Sequence, residues 1–354
     1  MKYNLSSLCE YRKGKVDVDM LDRDTYISTE NMLPNKGGVV QAVSLPAISQ
    51  TQEYKKGDVL VSNIRPYFKK IWQAEYDGGC SNDVLVFKAN ESTDKDFLYY
   101  VLADDAFFNY SMVTSKGTKM PRGDKTSIMQ YGVPHYDIVR QKKIACVLRM
   151  LDKKIELNNK INNNLEQQAQ AIFLKMFPDI FSASSSSSFQ NLIEFSNGKK
   201  RPEAIGNIPV YGGNGILAYT NQSNAENSVI IGRVGAYCGN TFLCPEKCWI
   251  SDNAIQAKSK NEDSQLFIYY LLRNASLPSR HIGTGQPLMT QAILNAVPVN
   301  EPSTQEIRSF INVCTPLHET IFANEKQNIS LTILRDTLLP KLMSGELDVS
   351  DIDI

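Results

Sequence analysis

At 354 residues, 42% of them hydrophobic and 21% charged, the chain is long enough for two globular domains or slightly more. Its 38 basic and 38 acidic residues cancel, so any binding to nucleic acid must rest on local patches. No apolar run approaches the roughly 20 residues that span a bilayer, the N-terminus lacks a signal-peptide core, and seven scattered cysteines make a poor disulfide framework, so we expect a cytoplasmic protein with no membrane partner.

Residues 1–136 read as a first globular domain of α/β (α+β) type, with strand-like runs such as "DVLVS" and "NDVLVF" separated by turns. Two of its loops are locally basic and rich in amide or aromatic groups. "SNIRPYFKK" offers Asn63, Arg65, Tyr67, Lys69 and Lys70, and "SKGTKMPRGDK" offers Lys116, Lys119, Arg122 and Lys125 against the single Asp124. Lys and Arg neutralise phosphates, while Arg and Asn pair with base edges. Taken one at a time, each Lys or Arg is more often an ordinary solvated surface charge, and the case for DNA rests on the recurrence of the clusters in both copies of the domain.

Residues 137–177 predict one long helix. From Ile144 to Met176, positions spaced alternately four and three hold Ile, Leu, Leu, Ile, Asn, Asn, Leu, Ala, Ile and Met, an a/d heptad stripe interrupted by Asn158 and Asn162. Asp137 is a plausible N-cap, and Pro178 follows the end. "FSASSSSSFQ" at 181–190 then reads as a flexible linker into a second domain, residues 178–302.

That second domain repeats the first. "FLYYVL" at 97–102 returns as "FIYYLL" at 267–272, an offset of 170, and "GCSNDVLVFKA" aligns at the same offset with "WISDNAIQAKS". "SKGTKMP" returns as "HIGTGQP" and "YGVP" as "NAVP", with the offset drifting to 166 and 164. Its corresponding loops supply Arg233, Tyr237, Asn240, Arg280 and Gln286; "NGKKRPE" adds Lys199, Lys200 and Arg201, and the turn "YGGNG" adds Asn214. Such Gly- and Asn-rich turns are more often structural than functional.

Residues 303–354 carry a second long helix and a tail. Ser303 and Glu306 form a capping box, and the stripe recurs at an offset of 166, with Asn324 and Asn328 in the places of Asn158 and Asn162 and Arg335 as the one further polar break. Pro340 is expected to kink or end this helix early. Each stripe could pack on its own domain, but an unbroken 4-3 alternation favours helix pairing with helix. The second domain leaves the end of one helix and enters the start of the next, which favours an antiparallel pair of spacer helices about 60 Å long between two similar domains, related by a pseudo-twofold. In that arrangement Asn158 faces Asn328 and Asn162 faces Asn324, where buried amides fix the register at a cost in stability.

Catalytic signatures are missing: the sequence has no GxxxxGK[ST], no GxGxxG, no GxSxG and no HExxH. Cys238, Cys244 and Cys248 are near one another, but their spacing makes no CxxC pair, so a metal-dependent enzyme is a weak alternative. We expect a non-catalytic chain with no metal of its own.

The chain resembles the specificity subunits of type I restriction–modification systems. The resemblance rests on the duplication, on "QKKIACVLRMLDKKIELNNKI", and on "NGKKRPEAIGNIPVYGGNGILAYT", "GRVGAYCGN" and "HIGTGQPLMTQAILNAVPV", with "YISTENMLP" and "GTKMPRGDK" in the first domain. It implies two target-recognition domains reading the halves of a bipartite double-stranded DNA sequence, spaced by the conserved helices. It further implies partners: two modification (methyltransferase) subunits and restriction (endonuclease/translocase) subunits, with S-adenosylmethionine, Mg and ATP held by those partners. A scaffold joining other proteins through its helix pair is the alternative.

Overall fold

The computed structural model describes residues 2–352 except 118, 183, 184, 186, 262, 263 and 284. The chain forms two compact units, one from Met1–Asn158 with Lys326–Ile354, the other from Asn159–Glu325. The predicted long helices span Ile138–Met176 and Thr304–Ser344, and each unit owns part of both.

In the first unit, four antiparallel strands lie in the order Cys9–Tyr11, Val84–Ala89, Val59–Ser62, Ile71–Gln73. The helix Lys95–Ala103 covers them. Asp94 caps it by accepting a hydrogen bond from the Phe97 amide at 2.9 Å, and Phe97, Leu98 and Leu102 are buried. A second four-stranded sheet runs Lys15–Asp17, Gln50–Tyr54, Gly78–Cys80, Tyr26–Ile27. Phe87, Phe97, Phe107 and Phe108 share one core with Ile144 and Leu148 of the first long helix and Leu339, Leu342 and Met343 of the second.

In the second unit, the strands Ile193–Asn197, Ala254–Ser259, Ala225–Gly232 and Thr241–Ile250 repeat that order, and Ile208–Gly212 with Gly215–Thr220 extend the sheet to six strands. The duplication is therefore one of topology as well as of sequence: Val84–Ala89 and Ala254–Ser259 coincide residue for residue at the offset of 170. Among the described strands pairing is antiparallel except at Tyr26–Ile27 on Gly78–Cys80 and Ile208–Gly212 on Thr241–Ile250, with one further isolated parallel bridge, Lys199 to Ser251, which makes the class α+β. The core is aromatic: Phe173, Phe177, Phe189, Phe267, Tyr270 and Phe310 are all buried together. Of the Ser-rich segment 181–190, residues 183, 184 and 186 lie outside the described residues. Beyond them, Ser187–Ser188 pairs with Pro298–Val299, and Phe189 is packed in the core.

The two long helices run antiparallel within each unit. In the first, Asn158 Nδ2 donates to Asn328 Oδ1 at 2.9 Å and to Gln327 Oε1 at 2.8 Å, while Arg335 meets Asp152 at 2.7 Å. In the second, Asn324 Nδ2 donates to Asn162 Oδ1 at 2.8 Å. Asp137 caps the first helix through the Arg140 amide at 2.8 Å, and Ser303 and Glu306 form the reciprocal box at the start of the second.

Pro340 does not end the second helix, which runs on to Ser344 and stops at Gly345, φ +80°. Proline removes one amide bond, but here the following turn is anchored by burial of Leu342 and Met343. The Tyr136 hydroxyl lies 3.3 Å and 3.2 Å from the Leu342 and Met343 carbonyls and shares its one proton between these helix-end acceptors, the first of which also accepts from the Gly345 amide at 3.3 Å.

Candidate nucleic-acid interface

In the first unit the two basic loops are stitched together. The Arg65 amide donates to Pro121 O at 2.9 Å and the Gly123 amide to Asn63 O at 3.2 Å, while Lys116 and Arg122 exchange a pair of backbone bonds at 2.9 and 3.0 Å. Asn63 follows the strand Val59–Ser62 directly, so a buried strand end sets the position of the loop.

The second unit contains the same stitching at the aligned positions. Gly235 N donates to Pro287 O at 2.9 Å, Met289 N to Arg233 O at 2.8 Å, and Ile282 and Leu288 exchange bonds at 3.0 and 2.9 Å. The left-handed backbone positions are duplicated as well. Arg65 (φ +50°) aligns with Gly235 (+73°), Lys69 (+50°) with Gly239 (+88°), and Gly117 (+92°) with Gly283 (+90°).

The nominated side chains sort by what they touch. Lys69 pairs with Asp105 at 2.6 Å, Lys70 donates to Thr29 O at 2.6 Å, Lys116 pairs with Asp124 at 2.5 Å and Arg122 with Asp83 at 3.2 Å. Burial pulls the Lys70 ammonium below the usual lysine range, whereas the Lys116 hydrogen bond holds Asp124 down at about 2. Tyr67 and Lys119 are exposed, and Lys125 lies 6.0 Å from the centre of the Tyr11 ring. The side chain of Asn63 is buried, with Oδ1 meeting no donor, and Arg65 Nε is likewise buried without an acceptor.

In the second unit, the turn 212–215 packs its glycines against the loop of Arg233 and Tyr237, since a Cβ at Gly213 would lie 3.7 Å from Gly232 Cα and 3.8 Å from Tyr237 Cβ. Asn214 and Tyr237 are exposed there, Asn240 is half-buried, and Gln286 is exposed on the stitched loop. Lys199, Lys200 and Arg201 are exposed beside the same cluster, because the Lys199 amide donates to Ile250 O at 2.9 Å and Arg233 N to Asn253 O at 2.9 Å. Arg280 turns away from this group: its Nε donates to Ala275 O at 2.7 Å, closing the end of the helix Gln265–Asn274. The acids Asp83 and Asp105, which hold two of the basic side chains, were not anticipated, and sequence spacing gives no sign of partners 39 and 36 residues away.

The three close cysteines do not converge. Cys238 belongs to the aromatic core and donates to Arg233 O at 3.4 Å, whereas Cys244 and Cys248 sit in a separate small core with Ile230 and Ile250. Among the described residues no group of three His, Cys, Asp or Glu side chains could hold a metal ion, and no helix is long and apolar enough to cross a membrane.

Comparison with known proteins agrees with this duplicated layout. The family model described as the type I restriction modification DNA specificity domain matches residues 1–167 and 190–331. The chain is 29% identical over 189 residues to the type I restriction enzyme HindI specificity subunit of Haemophilus influenzae, covering 50% of this chain and 40% of that one. It is 25% identical over 302 residues to the MjaIX specificity subunit of Methanocaldococcus jannaschii, covering 73% and 70%. Thus the match spans less than half of the Haemophilus relative. The crystal structure of the type I restriction-modification S subunit from M. genitalium shares the fold, with a TM-score of 0.58 at 19% identity over 97% of this chain and 96% of that one. The chain belongs to the type I restriction–modification DNA specificity family, and it carries that family's domain twice.

Proposed function

We propose that this chain selects the DNA sequence on which a type I restriction–modification system acts. Each unit reads one half of a bipartite double-stranded target, and the chain brings two methyltransferase subunits and the restriction subunits to it. The observation that carries this reading is the recurrence, in each unit, of the same stitched pair of loops bearing Arg, Lys, Asn and Tyr side chains. A scaffold that only joined proteins would have no need for two copies of a loop cluster whose exposed groups match phosphates and base edges. The chemistry is assigned to the partners, which would bind S-adenosylmethionine, Mg and ATP, and the work takes place on DNA in the cytoplasm.

The test is electrophoretic mobility of duplex DNA with the full chain and its methyltransferase subunits, across rising salt. We expect binding that weakens steeply with salt, as counterion release requires. Genome sequencing for methylated bases should then show a split motif that disappears when the chain is deleted. Salt-insensitive binding, or methylation unaffected by the deletion, rules the reading out.

A further inference from the structure

The duplicated loop cluster differs between the units at one informative place. Residue 63 aligns with 233 and residue 65 with 235, so the first unit reads Asn then Arg where the second reads Arg then Gly. Each unit therefore holds one arginine in this segment, displaced by two residues. Within the cluster both arginines share a property: the Nε of Arg65 and the Nε of Arg233 are buried with no hydrogen-bond acceptor, as is that of Arg140 outside it. Three other cations of the first unit's cluster are already engaged, Lys69 with Asp105, Lys116 with Asp124 and Arg122 with Asp83, while Lys119 is exposed. Among the described residues no carboxylate lies within ion-pair distance of the Arg65 guanidinium, and Arg233 reaches only one backbone carbonyl, that of Asp252 at 3.3 Å.

The backbone at Arg65 makes the choice of residue costly. It is left-handed, φ +50° and ψ +65°, a conformation that glycine adopts freely and that the aligned Gly235 does adopt, with nothing within 4 Å of where its Cβ would be. An arginine kept at a strained position, with donor capacity that no group of the chain uses, marks a functional requirement. The buried Nε cannot itself reach a base, but the terminal Nη groups of Arg65 make no hydrogen bond among the described residues and those of Arg233 only one. A planar guanidinium end of this kind fits one acceptor pair in duplex DNA especially well, the O6 and N7 of guanine in the major groove.

Resting on the reading of the chain as a DNA-sequence selector, we propose that Arg65 and Arg233 are the guanine-reading residues of the first and second units, and that their two-residue displacement gives the two half-sites different sequences. The paired cations around Arg65 position the loop, and Arg65 reads.

The experiment is selection from a library of randomised duplex DNA by the full chain in complex with its methyltransferase subunits, comparing wild type, Arg65→Lys, Arg65→Gly and Arg233→Lys. Lysine keeps the charge but not the bidentate fork. We expect Arg65→Lys to flatten the preference at one guanine of one half-site, roughly ten- to hundred-fold, with the other half-site intact, and Arg233→Lys to do the reverse. Arg65→Gly should lose the same guanine while raising the thermal midpoint by about 2 °C, because the strain is relieved. An unchanged motif in the two lysine variants overturns the assignment, as does uniform weakening at every base, which is what a phosphate contact would give. A wild-type complex that enriches no motif at all overturns the functional reading itself, and is told apart from the other failures by that single sample.

Discussion

Tyr100 donates its hydroxyl to Asp152 at 2.6 Å, and the aligned residues of the second unit, Tyr270 and His318, meet at 2.8 Å. The same tyrosine thus ties the short helix to a long helix in both units, but the partner has changed from an acid to a base. The acid is matched by Arg335, the residue that breaks the apolar stripe, while the position aligned with Arg335 in the second unit is the fully buried Ala169. The exchange is balanced at the aligned position: an arginine stands beside the acid Asp152, and a buried alanine stands where the partner is His318.

Removing one member of the Asp152–Arg335 pair leaves a largely buried charge alone. Arg335→Leu should destabilise the first unit by about 2–4 kcal/mol, whereas Asp152→Leu with Arg335→Leu should recover most of that, less the lost Tyr100 acceptor. Chemical denaturation of the three variants measures this, and a double variant as unstable as the single one refutes it.

His318 makes the second unit acid-sensitive. Burial pulls its pKa from the ordinary 6.5 down to about 4, against a raising influence from Glu166. The unfolded chain therefore takes up a proton between pH 6.5 and 4 that the folded chain refuses. Stability is full above about 6.5 and falls across that window by about 2–3 kcal/mol. His318→Gln should flatten this limb of the stability–pH curve; an unchanged slope would implicate other groups.

The central asparagines exchange stability for register. Asn158 is fully buried, and its Oδ1 has no donor, so the amide is only half satisfied. Replacing Asn158, Asn162, Asn324 and Asn328 together by leucine should raise stability by about 1–3 kcal/mol and permit the helices to slip. Thermal unfolding checks the first part, and cysteine cross-linking across the helices checks the second; a lower midpoint would contradict the register role.

Two left-handed glycines of the second unit should respond differently to alanine. A Cβ on Gly239 would fall 2.5 Å from Pro278 N and 2.7 Å from Leu277 C, both backbone atoms that cannot swing aside. Gly235 has open space, so Gly235→Ala should cost only about 1 kcal/mol from its backbone angle, while Gly239→Ala should cost distinctly more. Equal midpoints for the two variants would refute the steric argument.

Much of this molecule was legible in its sequence because it is written twice. Aligning the halves at an offset of 170 located the loops, and the heptad stripe with its Asp137 and Ser303 caps located both long helices, whose order depends on local periodicity. Pro340 misled because local preference was overridden by burial one turn later. Partners distant in sequence, such as Asp105 for Lys69 and Asp152 for Arg335, leave no periodic trace. The left-handed positions at Arg65 and Lys69 were not legible, because neither residue type signals positive φ; only the structure sets them beside Gly235 and Gly239.

The discontinuity of the first unit has a consequence in time. Leu339, Leu342, Met343 and Val349 complete a core whose other members lie before Asn158, so that core cannot close until synthesis has passed Val349. At ribosomal speeds, the intervening stretch of about 180 residues takes roughly 10–40 s to synthesise. The second unit, whose residues are contiguous from Asn159 to Glu325, has everything it needs earlier. The unit whose synthesis starts first is thus the unit that matures last.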